Sequence, residues 1–112
     1  LRRFDRHRAV KFEVTAKFTS DLRRLKPEHL AEFKKVLREK FVPACDGFAL
    51  DPTTPWPASL RVKSMRAAPG IFEMTWSFAS PDGRATFEIL TVDGEARIRW
   101  RRIGDHGVFR EP

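Results

Sequence analysis

Four arginines near the end of the chain, Arg97, Arg99, Arg101 and Arg102, stand in an otherwise alternating stretch with Ala96, Ile98 and Trp100 between them. On a strand, residues two apart share a face at a spacing of about 7 Å, so Arg97, Arg99 and Arg101 form a guanidinium row that suits the phosphates of a nucleic-acid strand. An ordinary solvated face, balanced across the strands by Glu73, Glu88 or Glu95, accounts for the same pattern. His106, in Gly104-Asp105-His106-Gly107, sits between glycines where the backbone can turn sharply, and a histidine there can exchange protons near neutral pH. A surface histidine without a role fits the local pattern as well. Lys63, Arg66 and Arg84 surround the start of a second alternating region. Arg84 points away from Phe87 and Ile89, where it could grip a phosphate with two prongs and stabilise a charged transition state, although each of these cations alone reads more often as a solubility residue. Trp56, Trp76 and Trp100 could stack on bases. Trp76 and Trp100 share their faces with Met74 and Ile98, which assigns those two to the core.

These residues need a scaffold, and the hydrophobic periodicity supplies one. Residues 10 to 18 alternate, with Val10, Phe12, Val14, Ala16 and Phe18 opposite Lys11, Glu13, Thr15 and Lys17, which predicts a half-buried strand. Thr19 or Ser20 can then cap a short helix running to Leu25, and Pro27 suits the first turn of a second. Leu30, Phe33, Val36, Leu37 and Phe41 place one apolar stripe along that second helix. From Val42 to Ser59 the density of breakers (Pro43, Gly47, Pro52, Pro55 and Pro57) predicts a long surface loop, which Phe48, Leu50 and Trp56 could pin over the core edge.

Beyond it the period is two again: Phe72, Met74, Trp76 and Phe78 face one way, and Glu73, Thr75 and Ser77 the other. Ser80-Pro81-Asp82-Gly83 has turn chemistry. Ala85, Phe87 and Ile89 then alternate with Arg84, Thr86 and Glu88, and Asp93-Gly94 marks a tight hairpin before the arginine strand. The expected architecture is α+β: an N-terminal strand, a two-helix hairpin, then a three- to four-stranded antiparallel sheet. With 112 residues the whole chain, 1–112, reads as one domain.

Ten Phe and three Trp exclude a disordered chain, and a net charge of +7 favours polyanionic partners. No apolar run approaches the roughly 20 residues of a membrane span, so no membrane association is expected and a cytoplasmic protein is the simplest reading. Leu1 in place of an initiator Met leaves room for natural chain upstream. The single Cys45 and three scattered histidines give no zinc spacing, and no metal or cofactor is expected. No Ser/His/Asp order, glycine-rich phosphate loop or paired-carboxylate motif stands out. Composition and spacing by themselves therefore stop at a basic binding domain.

The order of elements, together with several segments, resembles the RelE/ParE superfamily of bacterial toxins. These segments are Phe18 to Leu25, Leu60 to Lys63, Gly70-Ile71-Phe72-Glu73-Met74-Thr75-Trp76, Gly83-Arg84-Ala85-Thr86-Phe87 and Ile103-Gly104-Asp105-His106. The resemblance spans about residues 10 to 110 and rests on degenerate patterns. It implies a sheet with two helices on one face and a basic active face on the other. It also implies a type II toxin held inactive by an acidic antitoxin, cutting messenger RNA on the ribosome by attack of the ribose 2'-hydroxyl on the adjacent phosphate, without metal. By position, Arg84 would bind the scissile phosphate and His106 would act on the leaving group; Glu73, which departs from the family's pattern, could serve as a carboxylate base. Lys63, Arg66, Arg97, Arg99 and Arg101 would hold RNA. Where some members carry lysines, this chain has Glu73 and Thr75, and it has no Tyr at all, whereas several nuclease members use one near the C-terminus. Two other readings stay open: a gyrase-poisoning or inactive binding protein of the same fold, and an unrelated nucleic-acid-binding domain.

Overall fold

The computed structural model describes residues 10–50, 53–66, 68–76, 83–104 and 111–112, with positions 48–50 described as backbone only. The chain opens on a strand, β1 (Lys11–Val14), that is shorter than the alternation suggests. Thr15 ends it by serving two structures at once. Its N–H donates to the Trp100 carbonyl at 3.0 Å and its hydroxyl donates to the Arg101 carbonyl at 2.8 Å, while Oγ1 accepts the Phe18 N–H at 3.1 Å. The last of these is an N-cap, so helix α1 (Ala16–Arg24) starts at once, and Thr15 is the cap in place of Thr19 or Ser20. Phe18 is thus a helical core residue, in phase with Leu22 and Leu25, and not the end of a strand.

Helix α2 (Pro27–Val36) begins with Pro27 in its first turn, as expected. It continues through a π-helical turn (Leu37–Phe41) into α3 (Val42–Leu50), where a loop was expected. Pro43 inside a regular α-helix would lack its N–H and crowd the carbonyl four residues back. The wider π turn, in which the Val42 N–H donates to the Leu37 carbonyl, relieves that conflict. The turn also resets the buried face: Val36, Phe41 and Cys45 are all buried, with a step of five residues across the π turn. The expected irregular segment survives in part at 53–57, followed by a short 3-10 turn (Ala58–Leu60).

Four strands, β2 (Lys63–Ser64), β3 (Ile71–Trp76), β4 (Gly83–Val92) and β5 (Glu95–Gly104), form the expected antiparallel meander. β1 adds a fifth strand, parallel to β5, giving the order β1-β5-β4-β3-β2. The β4–β5 turn at Asp93-Gly94 has both residues at positive φ, 53° and 80°, as a two-residue primed turn demands. The Ser80–Gly83 turn lies outside the described residues except for Gly83, which starts β4.

One face of the sheet carries Met74, Trp76, Ala85, Phe87, Ile98 and Trp100, and the helices cover it with Phe18, Phe33 and Phe41. Trp100 lies 4.8 to 5.9 Å from the rings of Phe18, Phe33, Phe41 and Phe87. Trp56 closes the far side by stacking on Phe41 at 5.3 Å. All three tryptophans are therefore engaged in packing. Among the described residues no helix is long and apolar enough to cross a membrane.

Candidate active face

The strand register lays the opposite face out in rows. One row runs Lys63, Glu73, Thr86 and Arg102 across β2, β3, β4 and β5. The next pairs Thr75 with Arg84 and Gly104, and a third runs Glu13, Arg99, Glu88 and Ile71. Neighbouring rows are two residues apart on β3 and β4, about 7 Å along the strand.

This geometry brings Glu73, Arg84 and Lys63 together. Glu73 is only 3% exposed, and its Oε1 lies 3.3 Å from Lys63 Nζ and 3.9 Å from Arg84 Nη1. Arg84 Nη1 also donates to Thr75 Oγ1 at 2.8 Å. The arrangement is a carboxylate with an exposed ammonium on one side and a mostly buried guanidinium on the other. Such a set can accept a proton from a hydroxyl while the guanidinium neutralises a phosphate. His106 lies outside the described residues, and Arg66 sits in the exposed turn after β2.

The arginine row has acidic partners. Arg97 Nη1 and Arg99 Nε donate to the two oxygens of Glu13 at 2.8 and 3.1 Å, and Arg101 Nη1 donates to Glu88 at 2.7 Å, with Arg99 4.0 Å from the same carboxylate. The two guanidiniums hold the Glu13 carboxyl below its ordinary value of 4.5, chiefly through the Arg97 hydrogen bond and then that of Arg99. Balancing by Glu88 was one of the sequence alternatives. Glu13 was not, because nothing in the sequence set β1 parallel beside β5.

Three further residues of this face went unassigned in the sequence. The register shifts between Thr86 and Phe87: Phe87 pairs with Trp100 and Thr86 with Arg102, which leaves Arg101 as an extra residue. The bulge lets consecutive arginines serve one region. Its sequence signal is the apolar step from Trp100 to Ile103, which breaks the period of two. Arg102 is then gripped by Asp21 of α1: Nε and Nη2 donate to its two oxygens at 2.7 and 3.2 Å, and Asp21 also accepts the Ile103 N–H at 3.1 Å. Asp21 raises the Arg102 pKa further still. Thr86, wholly buried, donates to the Pro112 carbonyl at 3.0 Å.

In this chain the helices cover one face of the sheet and a charged cluster lies on the other, and the fold is RelE-like by comparison with solved structures. No protein-family model matches the sequence, and no curated protein matches it. Solved structures do. The chain is similar to a mutant of the E. coli toxin RelE in the free state, at 16% identity and a TM-score of 0.55, covering 92% of this chain and 93% of that one. It is also similar to a chain of the intact E. coli RelBE toxin-antitoxin complex (15% identity, TM-score 0.52, 87% and 96% covered). A third match is a chain of the RelBE2 toxin-antitoxin complex of Mycobacterium tuberculosis (15% identity, TM-score 0.52, 88% and 99% covered).

Proposed function

We propose that this chain is the toxin of a type II toxin-antitoxin system, a cytoplasmic endoribonuclease that cuts messenger RNA on the ribosome and so arrests translation. The observation that carries this reading is the Lys63, Glu73, Arg84 and Thr75 group on the face of a RelE-like sheet opposite the aromatic core. Glu73 takes the proton of the ribose 2'-hydroxyl, whose oxygen attacks the adjacent phosphorus. Arg84 holds the non-bridging oxygens as charge builds on them. The P–O5' bond breaks, and His106 gives the leaving oxygen its proton. The products are a 2',3'-cyclic phosphate and a 5'-hydroxyl end, so the step balances with proton transfers alone and needs neither metal nor cofactor. Lys63 and Arg66, with the outward nitrogens of Arg97, Arg99 and Arg101, hold the RNA backbone. An antitoxin, present in two of the similar structures, would cover the toxin.

A second reading, a gyrase-poisoning or inactive binding protein of the same fold, is favoured by the missing Tyr and by a Glu73 already paired to Lys63. Induced expression with primer extension on cellular messages separates the two. Growth arrest with discrete new 5' ends, lost in Arg84→Ala and His106→Ala, supports the nuclease. Arrest without new ends refutes it.

A further inference from the structure

Beside the Glu73 and Arg84 pair, cations from two elements converge on one dipeptide of the same chain. Arg101 Nε donates to the Pro112 carbonyl at 3.0 Å, on the same oxygen that accepts the Thr86 hydroxyl. Arg102 Nη1 donates to the Glu111 carbonyl at 3.0 Å, and Lys17 Nζ on α1 lies 3.4 Å from the Glu111 carboxylate. Both arginines also bind protein acids: Arg102 turns Nε and Nη2 to Asp21, and Arg101 turns Nη1 to Glu88. Each guanidinium is thus braced on one edge and offers its remaining N–H groups to the segment lying across it. Paired N–H and O–H donors aimed at closely spaced oxygens, with an ammonium beside them, are the donor set that grips a phosphodiester. The same dipeptide forms one wall of a cavity of about 380 Å³, whose other walls include Lys17, Ala68, Ile71, Arg101 and Arg102. Its apolar side, Ala68 and Ile71, gives a base somewhere to rest.

We infer that Thr86, Arg101, Arg102 and Lys17 form a second phosphate-binding station for single-stranded RNA, and that Glu111 and Pro112 occupy it as the chain's own competitor. The inference rests on the reading of this face as an RNA surface. The station lies in the rows next to Arg84, where an RNA strand seated on Arg84 would continue toward α1. RNA has to displace two carbonyl oxygens and one carboxylate to reach it. The segment therefore lowers affinity for free RNA and spares strands held firmly elsewhere.

Fluorescence anisotropy with a labelled oligouridylate tests this without a ribosome and without cleavage. A chain ending at Arg110 should bind about 5- to 10-fold tighter than the full chain, with a steeper salt dependence. Lys17→Ala should erase most of that gain in the shortened chain and change little in the full one. Glu111→Gln in the full chain should give a gain of roughly 2- to 3-fold, and the charge control Glu28→Gln, on the exposed start of α2, should give none. Equal affinity of the full and shortened chains, or a gain matched by Glu28→Gln, overturns the inference. If the shortened chain fails to fold, Glu111→Gln decides alone, and no gain there overturns it. A chain that shows the gain but never cuts message refutes the nuclease reading and leaves the station standing. One that cuts without the gain refutes the station alone.

Discussion

Asp21→Ala should be among the most damaging single substitutions outside the aromatic core. The side chain is 6% exposed and its carboxylate takes four contacts: Arg102 Nε at 2.7 Å, Arg102 Nη2 at 3.2 Å, the Ile103 N–H at 3.1 Å and Arg24 Nη1 at 3.3 Å. Arg24 is largely exposed and contributes little. Removing the acid strands a mostly buried guanidinium and a buried backbone N–H. Breaking a buried pair costs about 3–5 kcal/mol, and the lower end applies because Arg102 keeps some access to water. An unfolding entropy of about 2.1 cal/mol/K per residue gives roughly 0.24 kcal/mol/K for a chain of this length, so about 3 kcal/mol lowers Tm by roughly 12 °C. Thermal melts followed by circular dichroism measure it. The double variant Asp21→Ala/Arg102→Ala should lose clearly less than the sum of the two single losses, because the first removal already exposes the second partner's penalty. An Asp21→Ala chain melting within about 4 °C of wild type, or strictly additive losses, would refute the reasoning that this contact pins β5 to α1.

Glu13 is held below its ordinary value of 4.5 by Arg97 and Arg99, so its contribution is present above that pH and is lost as pH falls through the lower folded value. Melts between pH 7 and pH 3 should therefore show a shallower acid-side loss in Glu13→Gln than in wild type; equal slopes contradict this. Cys45 is buried among apolar groups, and burial, with Asp46 nearby, pushes its thiol up to about 12. A thiol reagent at pH 8 should label it only as fast as the chain opens, and immediate labelling of the folded protein would sink the assignment. Gly94 has φ of +80° with open space around a would-be Cβ, so Gly94→Ala should cost only the backbone strain, about 1 kcal/mol, in a urea titration. A neutral or stabilising result would mean that the turn differs.

Much of the sheet was legible because its strands carry strict alternation and its hairpin carries Asp93-Gly94. The helix pair was legible from Pro27 and the Phe33 to Phe41 stripe. Two misreadings had one cause, a local signal overridden by a neighbour's geometry. Alternation through residue 18 concealed that Thr15 could end a strand and cap a helix together. Pro43 looked like a breaker because a π turn has no composition signal of its own. At the site, Arg84 and Glu73 meet because alternation put both on one face and β3 pairs antiparallel with β4. Asp21, Thr86 and Lys17 were invisible as site residues. Their roles depend on a parallel β1, on a bulge at Arg101, and on residues 111–112 crossing the face, none of which a linear pattern encodes.

The central claim is that the Glu73 and Arg84 pair cuts RNA, and purified ribosomes programmed with a defined message test it most directly. The account predicts that wild type cleaves the message on the ribosome and leaves a 2',3'-cyclic phosphate and a 5'-hydroxyl end. Glu73→Gln and Arg84→Ala should each slow cleavage at least 100-fold while ribosome binding persists. Cleavage unchanged in Glu73→Gln and Arg84→Ala, or no cleavage by a folded wild-type chain that binds the ribosome, would contradict it.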